Sequence, residues 1–112
     1  MADRTPRRRR MLTTTYAALL DGAEWRPLPN CPGRHVLQGP PVPTPPEDLL
    51  GGGVRVDEHR VPGAPDPVLV ALVPGGGLIS YRHADGRFVH TLNDEAGLAR
   101  KLAQLGIARS SD

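Results

Sequence analysis

The chain has 112 residues, a formal net charge of +2, 38% hydrophobic and only 4% aromatic residues. That length holds one domain, and a core so poor in aromatic rings must be assembled from Val, Leu, Ile and Ala. No apolar run reaches the roughly 18 residues of a membrane span, and the single cysteine, Cys31, excludes an internal disulfide and any zinc site built on paired cysteines. The abundance of Arg, Pro, Gly and Ala is the bias of a GC-rich, bacterial coding sequence, and the lone cysteine fits a protein of the reducing cytoplasm with no membrane partner.

The charge is unevenly placed. Residues 1–10 carry five arginines (Arg4, Arg7, Arg8, Arg9, Arg10) against Asp3. The other 102 residues carry nine basic and eleven acidic side chains, so a +4 tail precedes a −2 body. Residues 1–10 read as a disordered tail, 11–107 as one small domain, and 108–112 as a second loose end.

From the N-terminus, Thr13 to Thr15 offer capping hydroxyls. Leu12, Tyr16, Leu19 and Leu20 then form one face of a short helix that Asp21-Gly22 ends. Trp25 to Gly39 is stiffened by Pro27, Pro29 and Pro32. It predicts extended chain anchored by Trp25, a turn at Cys31-Pro32-Gly33 and a short strand over Arg34–Gln38. Residues 40–46 hold five prolines in seven positions and read as a stiff polyproline-II connector unable to join a sheet centrally. Glu47–Leu50 suits a helical turn. Val54–Val61 suits a strand with Val54, Val56 and Glu58 on one face.

Val68–Val73 is continuously apolar, the pattern of a strand covered on both faces. Pro74-Gly75-Gly76-Gly77 reads as a wide flexible turn, and Leu78–Arg82 and Phe88–Leu92 as the arms of a hairpin. Asp85-Gly86 is the strongest turn signal. Taken as a two-residue type I′ loop, it pairs Tyr81 with His90 and His83 with Phe88. Asn93 is placed to cap a last helix, with Asp94 and Glu95 in its first turn and Leu98, Leu102 and Leu105 as its apolar stripe. Gly106 suits a Schellman ending that brings Ile107 onto Leu102. The predicted fold is α+β: an antiparallel sheet of three to five strands, the C-terminal helix packed on one face and a short N-terminal helix beside it.

The segment YRHADGRFVHTLN resembles one unit of the tyrosine–aspartate hairpin repeats of large bacterial shell proteins, with Tyr81, Asp85, Gly86 and Arg87 in the matching positions. It covers about a dozen residues and occurs once, whereas those proteins are built from many units. The resemblance implies a hairpin and no family.

Function is less legible. The glycine runs 51–53 and 74–77 lack the Lys and Ser/Thr of a phosphate loop. Cys31, His35, His83 and His90 are the candidate reactive or ligand cluster: a thiol needs a base and a neighbouring cation to be nucleophilic, and imidazoles are the remaining metal-binding side chains. No residue is assigned as catalytic or as a metal ligand, and no cofactor is expected. Arg7, Arg8, Arg9 and Arg10 are candidate contacts to nucleic-acid phosphates, where charge alone suffices. Trp25, Pro27 and Pro29 are candidate protein-contact residues. Three classes follow: a non-catalytic accessory or regulatory subunit acting by protein–protein contact or homo-oligomerisation; a nucleic-acid-associated regulator or toxin-like protein using the tail; and a small Cys/His enzyme or metal-binding protein. The least explained stretch, Trp25–Arg60, is where function is expected.

Overall fold

A computed structural model describes residues 15–22, 24–51 and 54–107. The Arg-rich segment 1–10, the capping residues Thr13 and Thr14, Leu12 and the end 108–112 lie outside the described residues. In chain order the elements are α1 (Tyr16–Gly22), β1 (Trp25–Pro27), β2 (Arg34–Leu37), α2 (Pro46–Leu50), β3 (Asp57–His59), β4 (Val68–Val73), β5 (Gly76–Arg82), β6 (Phe88–Asp94) and α3 (Glu95–Leu105). The strands form one antiparallel sheet of six, in the order β1-β2-β6-β5-β4-β3. The α+β class and the C-terminal helix hold. The sheet is larger than the three to five strands expected, because the three-residue strands β1 and β3 extend both edges.

The register sorts side chains onto two faces. Leu78 lies opposite Leu92 and Ala71, and His35 opposite Leu92, so Ala71, Val73, Leu78, Leu92, His35 and Trp25 share one face. Leu50 of α2 and Tyr16, Leu19 and Leu20 of α1 cover it. On the other face Val68, Val70 and Ile79 meet Leu98 and Leu102 of α3, with Tyr81, Leu105 and Ile107 at the margin. The continuous apolar run of β4 is explained: both of its faces carry a layer. Each fully buried Leu or Ile contributes about 1.5–3 kcal/mol, so the two half-cores share the stabilisation.

Local chemistry fixes the helices. Thr15 Oγ1 accepts from the Ala18 amide at 3.1 Å at the start of α1, and the Tyr16 amide donates to the Pro74 carbonyl at 2.9 Å, tying the helix to the β4–β5 turn. Trp25 is half-buried against the same core, its indole N–H donating to the Leu19 carbonyl at 3.0 Å. Pro46 opens α2 at a position where its missing N–H costs nothing. α3 ends as expected: Gly106 is left-handed (φ 76°), and the amides of Gly106 and Ile107 reach the carbonyls of Ala103 and Leu102, the paired bonds of a Schellman motif.

Several local expectations are corrected. The helix cap is Asp94, whose Oδ1 accepts from the Gly97 amide at 2.8 Å. Asn93 stays in β6, fully buried, and its side chain joins Arg34 Nε (2.8 Å) to the Thr91 carbonyl (3.2 Å). Of the glycines after Pro74, Gly76 and Gly77 are strand residues, and Pro74-Gly75 alone makes the turn. They are glycines because space is short: a Cβ on Gly76 would sit 2.0 Å from the Asn93 carbonyl oxygen, and one on Gly77 3.0 Å from Leu98.

The Asp85-Gly86 turn is real but of another type. Of the loop residues only Gly86 has positive φ, which excludes type I′. The Gly86 amide donates to the His83 carbonyl (3.0 Å) and the His83 amide to the Arg87 carbonyl (2.7 Å), a three-residue loop closed by a left-handed glycine. The extra residue shifts the register by one: Tyr81 faces Val89, Arg82 faces Phe88, and His90 faces Ser80. A one-residue slip moves each side chain to the opposite face. His83 and His90 are therefore not neighbours on one face.

The 40–46 segment is more than a connector. Val42 exchanges both backbone hydrogen bonds with Phe88, continuing the β2 side of β6, and Pro46 is buried. The prolines flank the bridge without occupying it, so their missing donors do not interrupt it.

Candidate docking groove

The first core face is not covered along its whole length. Where α1 and α2 stop, the far ends of β3 to β6 leave a groove of about 510 Å³ lined by Pro45, Glu47, Val54, Val56, Glu58, Pro67, Leu69, Arg82 and Phe88. The register explains the floor: Glu58 pairs with Leu69, Leu69 with Ser80, and Arg82 with Phe88, so alternate residues of four strands look the same way. Val54 and Val56 precede β3 in extended chain and form the wall. Their alternation with Glu58 was visible in the sequence, although the regular strand is only Asp57–His59.

The groove is two-toned. Phe88 and Leu69 provide an apolar floor and the two valines an apolar wall, while Glu47, Glu58 and Arg82 stand on its rim, all three exposed. Arg82 lies over the Phe88 ring, Cζ 5.7 Å from the centroid, which desolvates one side of the guanidinium and fixes its direction. Behind Phe88, the His90 ring is stacked at 5.8 Å and 12°. His90 is buried. Its Nε2 reaches the Thr44 carbonyl at 2.9 Å and its Nδ1 the Ser80 hydroxyl at 2.7 Å. A carbonyl only accepts, so Nε2 carries the proton and Nδ1 accepts from Ser80. Burial pushes the His90 pKa below the usual histidine range, against the opposing effect of the Thr44 carbonyl. The imidazole thus pins the proline segment to β6 immediately behind the groove.

The four residues grouped as a reactive or ligand cluster sit in different settings. Cys31 is half-buried in the β1–β2 loop. His35 lies on β2, its Nδ1 3.4 Å from the Tyr16 hydroxyl. His83 is exposed in the β5–β6 turn, and His90 is committed to Ser80 and Thr44. Among the described residues there is no group of three or more His, Cys, Asp or Glu side chains placed to hold a metal ion. Burial raises the Tyr16 pKa above the usual phenol value, with the Asp94 carboxylate adding to it.

Of the other candidates, Trp25 is occupied in internal packing, and Pro27 and Pro29 are exposed along the β1 edge. Arg7 to Arg10 lie outside the described residues. No helix among the described residues is long and apolar enough to cross a membrane. Of the groove residues, Pro45, Glu47, Val54, Val56 and Glu58 fall within the stretch Trp25–Arg60. Leu69, Arg82 and Phe88 were legible only as strand residues, since their convergence depends on the hairpin register. Comparison with models of known protein families, with curated proteins and with solved structures finds no match for this chain.

Proposed function

We propose that this chain is a small, non-catalytic bacterial protein of the cytoplasm that acts by binding another protein, as an accessory or regulatory subunit. The observation that carries this reading is the groove. An apolar floor of Leu69 and Phe88, beside Val54 and Val56 that pack against the core, lies beneath exposed charges of both signs, with Pro45 and Pro67 in the lining. Such a surface matches a polypeptide segment. Apolar side chains of the partner fill the floor over Leu69 and Phe88, a basic group meets Glu47 and Glu58, and an acidic group or chain carbonyl meets Arg82. Rigid walls reduce the ordering cost of association.

The test uses the full chain carrying a photo-crosslinking residue at position 58, expressed in its native host, beside the same protein with Arg82→Glu. A protein crosslinked through position 58 in the parent and lost with Arg82→Glu, at unchanged melting temperature, supports the reading. No crosslinked species, or one indifferent to Arg82→Glu, overturns it.

A further inference from the structure

A second concavity lies on the opposite face of the sheet, between the β1–β2 loop and the outer side of α3. It measures about 370 Å³ and is lined by Asn30, Cys31, Pro32, Arg34, Arg100, Lys101 and Gln104. Three of these seven residues are cationic and none is acidic. Within the described residues no carboxylate is in ion-pair distance of Arg34, Arg100 or Lys101; the cations that are paired are Arg55 and Arg87, elsewhere on the surface. This concentration of positive charge stands out in a body that is net negative.

The cations are also held in place. Arg34 Nε donates to Oδ1 of Asn93 at 2.8 Å, and Asn93 is fully buried, so the guanidinium is anchored from behind with donors to spare. Arg100 donates through one terminal nitrogen to the Pro32 carbonyl. The Lys101 ammonium stands over the Tyr81 ring, Nζ 5.7 Å from the centroid. Each contact uses part of the group and compensates none of its charge. The loop itself is fixed against the sheet and helix: the Asp94 amide donates to the Gly33 carbonyl at 2.8 Å, and a Cβ on Gly97 would lie 2.9 Å from that same oxygen. Two guanidiniums, the Lys101 side chain and the amides of Asn30 and Gln104 line one small space, and no carboxylate is among the lining residues. This is the recognition chemistry of a compact, multiply charged oxyanion.

We infer that this concavity binds a small phosphate-type oxyanion, an inorganic phosphate or a phosphate monoester of a small molecule, with Arg34, Arg100 and Lys101 as its charge-bearing contacts. The site is separate from the docking groove and on the other face, so either can be lost without the other.

Cys31 is a native reporter for it. It is the only cysteine in the chain, it lines the concavity, and Nη1 of Arg34 is 3.8 Å from its sulfur. Alkylation by iodoacetate and by iodoacetamide follows one chemistry: the sulfur forms a C–S bond, iodide leaves, and the thiol proton passes to buffer. The reagents differ in the negative charge of the carboxylate. An intact cationic site therefore favours iodoacetate over iodoacetamide at Cys31, relative to the same chain unfolded in urea, by about fivefold per engaged cation at low ionic strength. The preference falls with added sodium chloride. Millimolar inorganic phosphate slows the iodoacetate reaction more than chloride does at equal ionic strength. The double variant Arg100→Gln/Lys101→Gln, on the outer side of α3, reduces both effects to the share that Arg34 alone supplies, about fivefold, while retaining the parent's circular dichroism and melting temperature within a few degrees. A folded-to-unfolded reagent ratio of one, or phosphate acting no differently from chloride, overturns the inference. So does a folded double variant that behaves like the parent.

Discussion

Replacing His90 by phenylalanine tests the account of the proline segment. The imidazole is buried, stacked on Phe88, and bonded to Ser80 Oγ at 2.7 Å and the Thr44 carbonyl at 2.9 Å. Phenylalanine keeps a ring over Phe88 and removes both bonds. Ser80 is fully buried, so its hydroxyl loses its partner without access to water, at a cost of about 1–3 kcal/mol. Loss of the bond to Thr44, which is half-buried, adds about 0.5–1.5 kcal/mol. The expected total is about 2–4 kcal/mol. For a domain of this size each kcal/mol lowers the melting temperature by about 4–8 °C. Urea unfolding followed through Trp25, the only tryptophan, measures the difference. Adding Ser80→Ala removes the orphaned hydroxyl, so Ser80→Ala/His90→Phe regains about 1–2 kcal/mol over His90→Phe alone.

The same pair of proteins carries a pH signature. Burial depresses the folded-state pKa of His90, so the unfolded chain takes up a proton first as pH falls. Where the unfolded state binds more protons, stability rises with pH. The contribution is complete above the ordinary histidine value of about 6.5 and is lost below it, by at most about 1.4 kcal/mol per pH unit. The stability gap between parent and His90→Phe therefore narrows from pH 7 to pH 5, while the other histidines cancel in the difference. A His90→Phe protein within 0.5 kcal/mol of the parent (about the scatter for neutral surface changes), or parallel pH curves for the two, refutes the reasoning.

Gly76→Ala places a methyl 2.0 Å from the Asn93 carbonyl oxygen and forces β5 and β6 apart, so a loss above about 3 kcal/mol is expected. Gly22→Ala, with nothing within 4 Å, is neutral or stabilising by up to about 1 kcal/mol; chemical denaturation of both separates steric exclusion from a general intolerance of alanine. Asp94→Ala deletes the α3 cap at a cost of about 0.5–2 kcal/mol, read from the urea midpoint. In a Tyr81→Phe background, ultraviolet absorbance should show Tyr16 ionising above the usual value of about 10, and Asp94→Ala should move it part of the way back, since burial is the larger cause. A raised folded pKa means that the Tyr16 contribution is full below pH 10 or so and is lost as pH rises through it.

Elements governed by contacts a few residues apart were legible. The leucine stripe of α3, its Schellman ending and the doubly covered run of β4 follow from period and composition. Where two nearby residues offered the same chemistry, the outcome turned on tertiary pairing. Asn93 and Asp94 are both good caps, and Asp94 wins because Asn93 is required inside β6 by Arg34 and Thr91. Asp-Gly supports either a two-residue or a three-residue loop, and the choice moves His90 to another face. The glycines after Pro74 look like slack in the sequence and prove to be places where backbone and Leu98 approach too closely for any side chain. The groove was out of reach for the same reason. Glu58, Leu69, Arg82 and Phe88 belong to four strands and meet only through their registers.

The pairing of β2 with β6 bears on how the chain is made. Arg34 and Asn93, joined side by side in the sheet, are 59 positions apart. A ribosome releases β1 and β2 long before their only route into the sheet exists, since β6 is the strand that receives them. Until β6 clears the exit tunnel, the emerged chain holds Trp25, Val36 and the leucines of α1 with no surface to land on. Acquisition of the native sheet is thus deferred until β6 has emerged, and closure of this long loop sets a slow step. The proline-stiffened stretches from Pro27 to Pro46 have a use during that wait: a strand that cannot donate at every position is a poor template for wrong pairing.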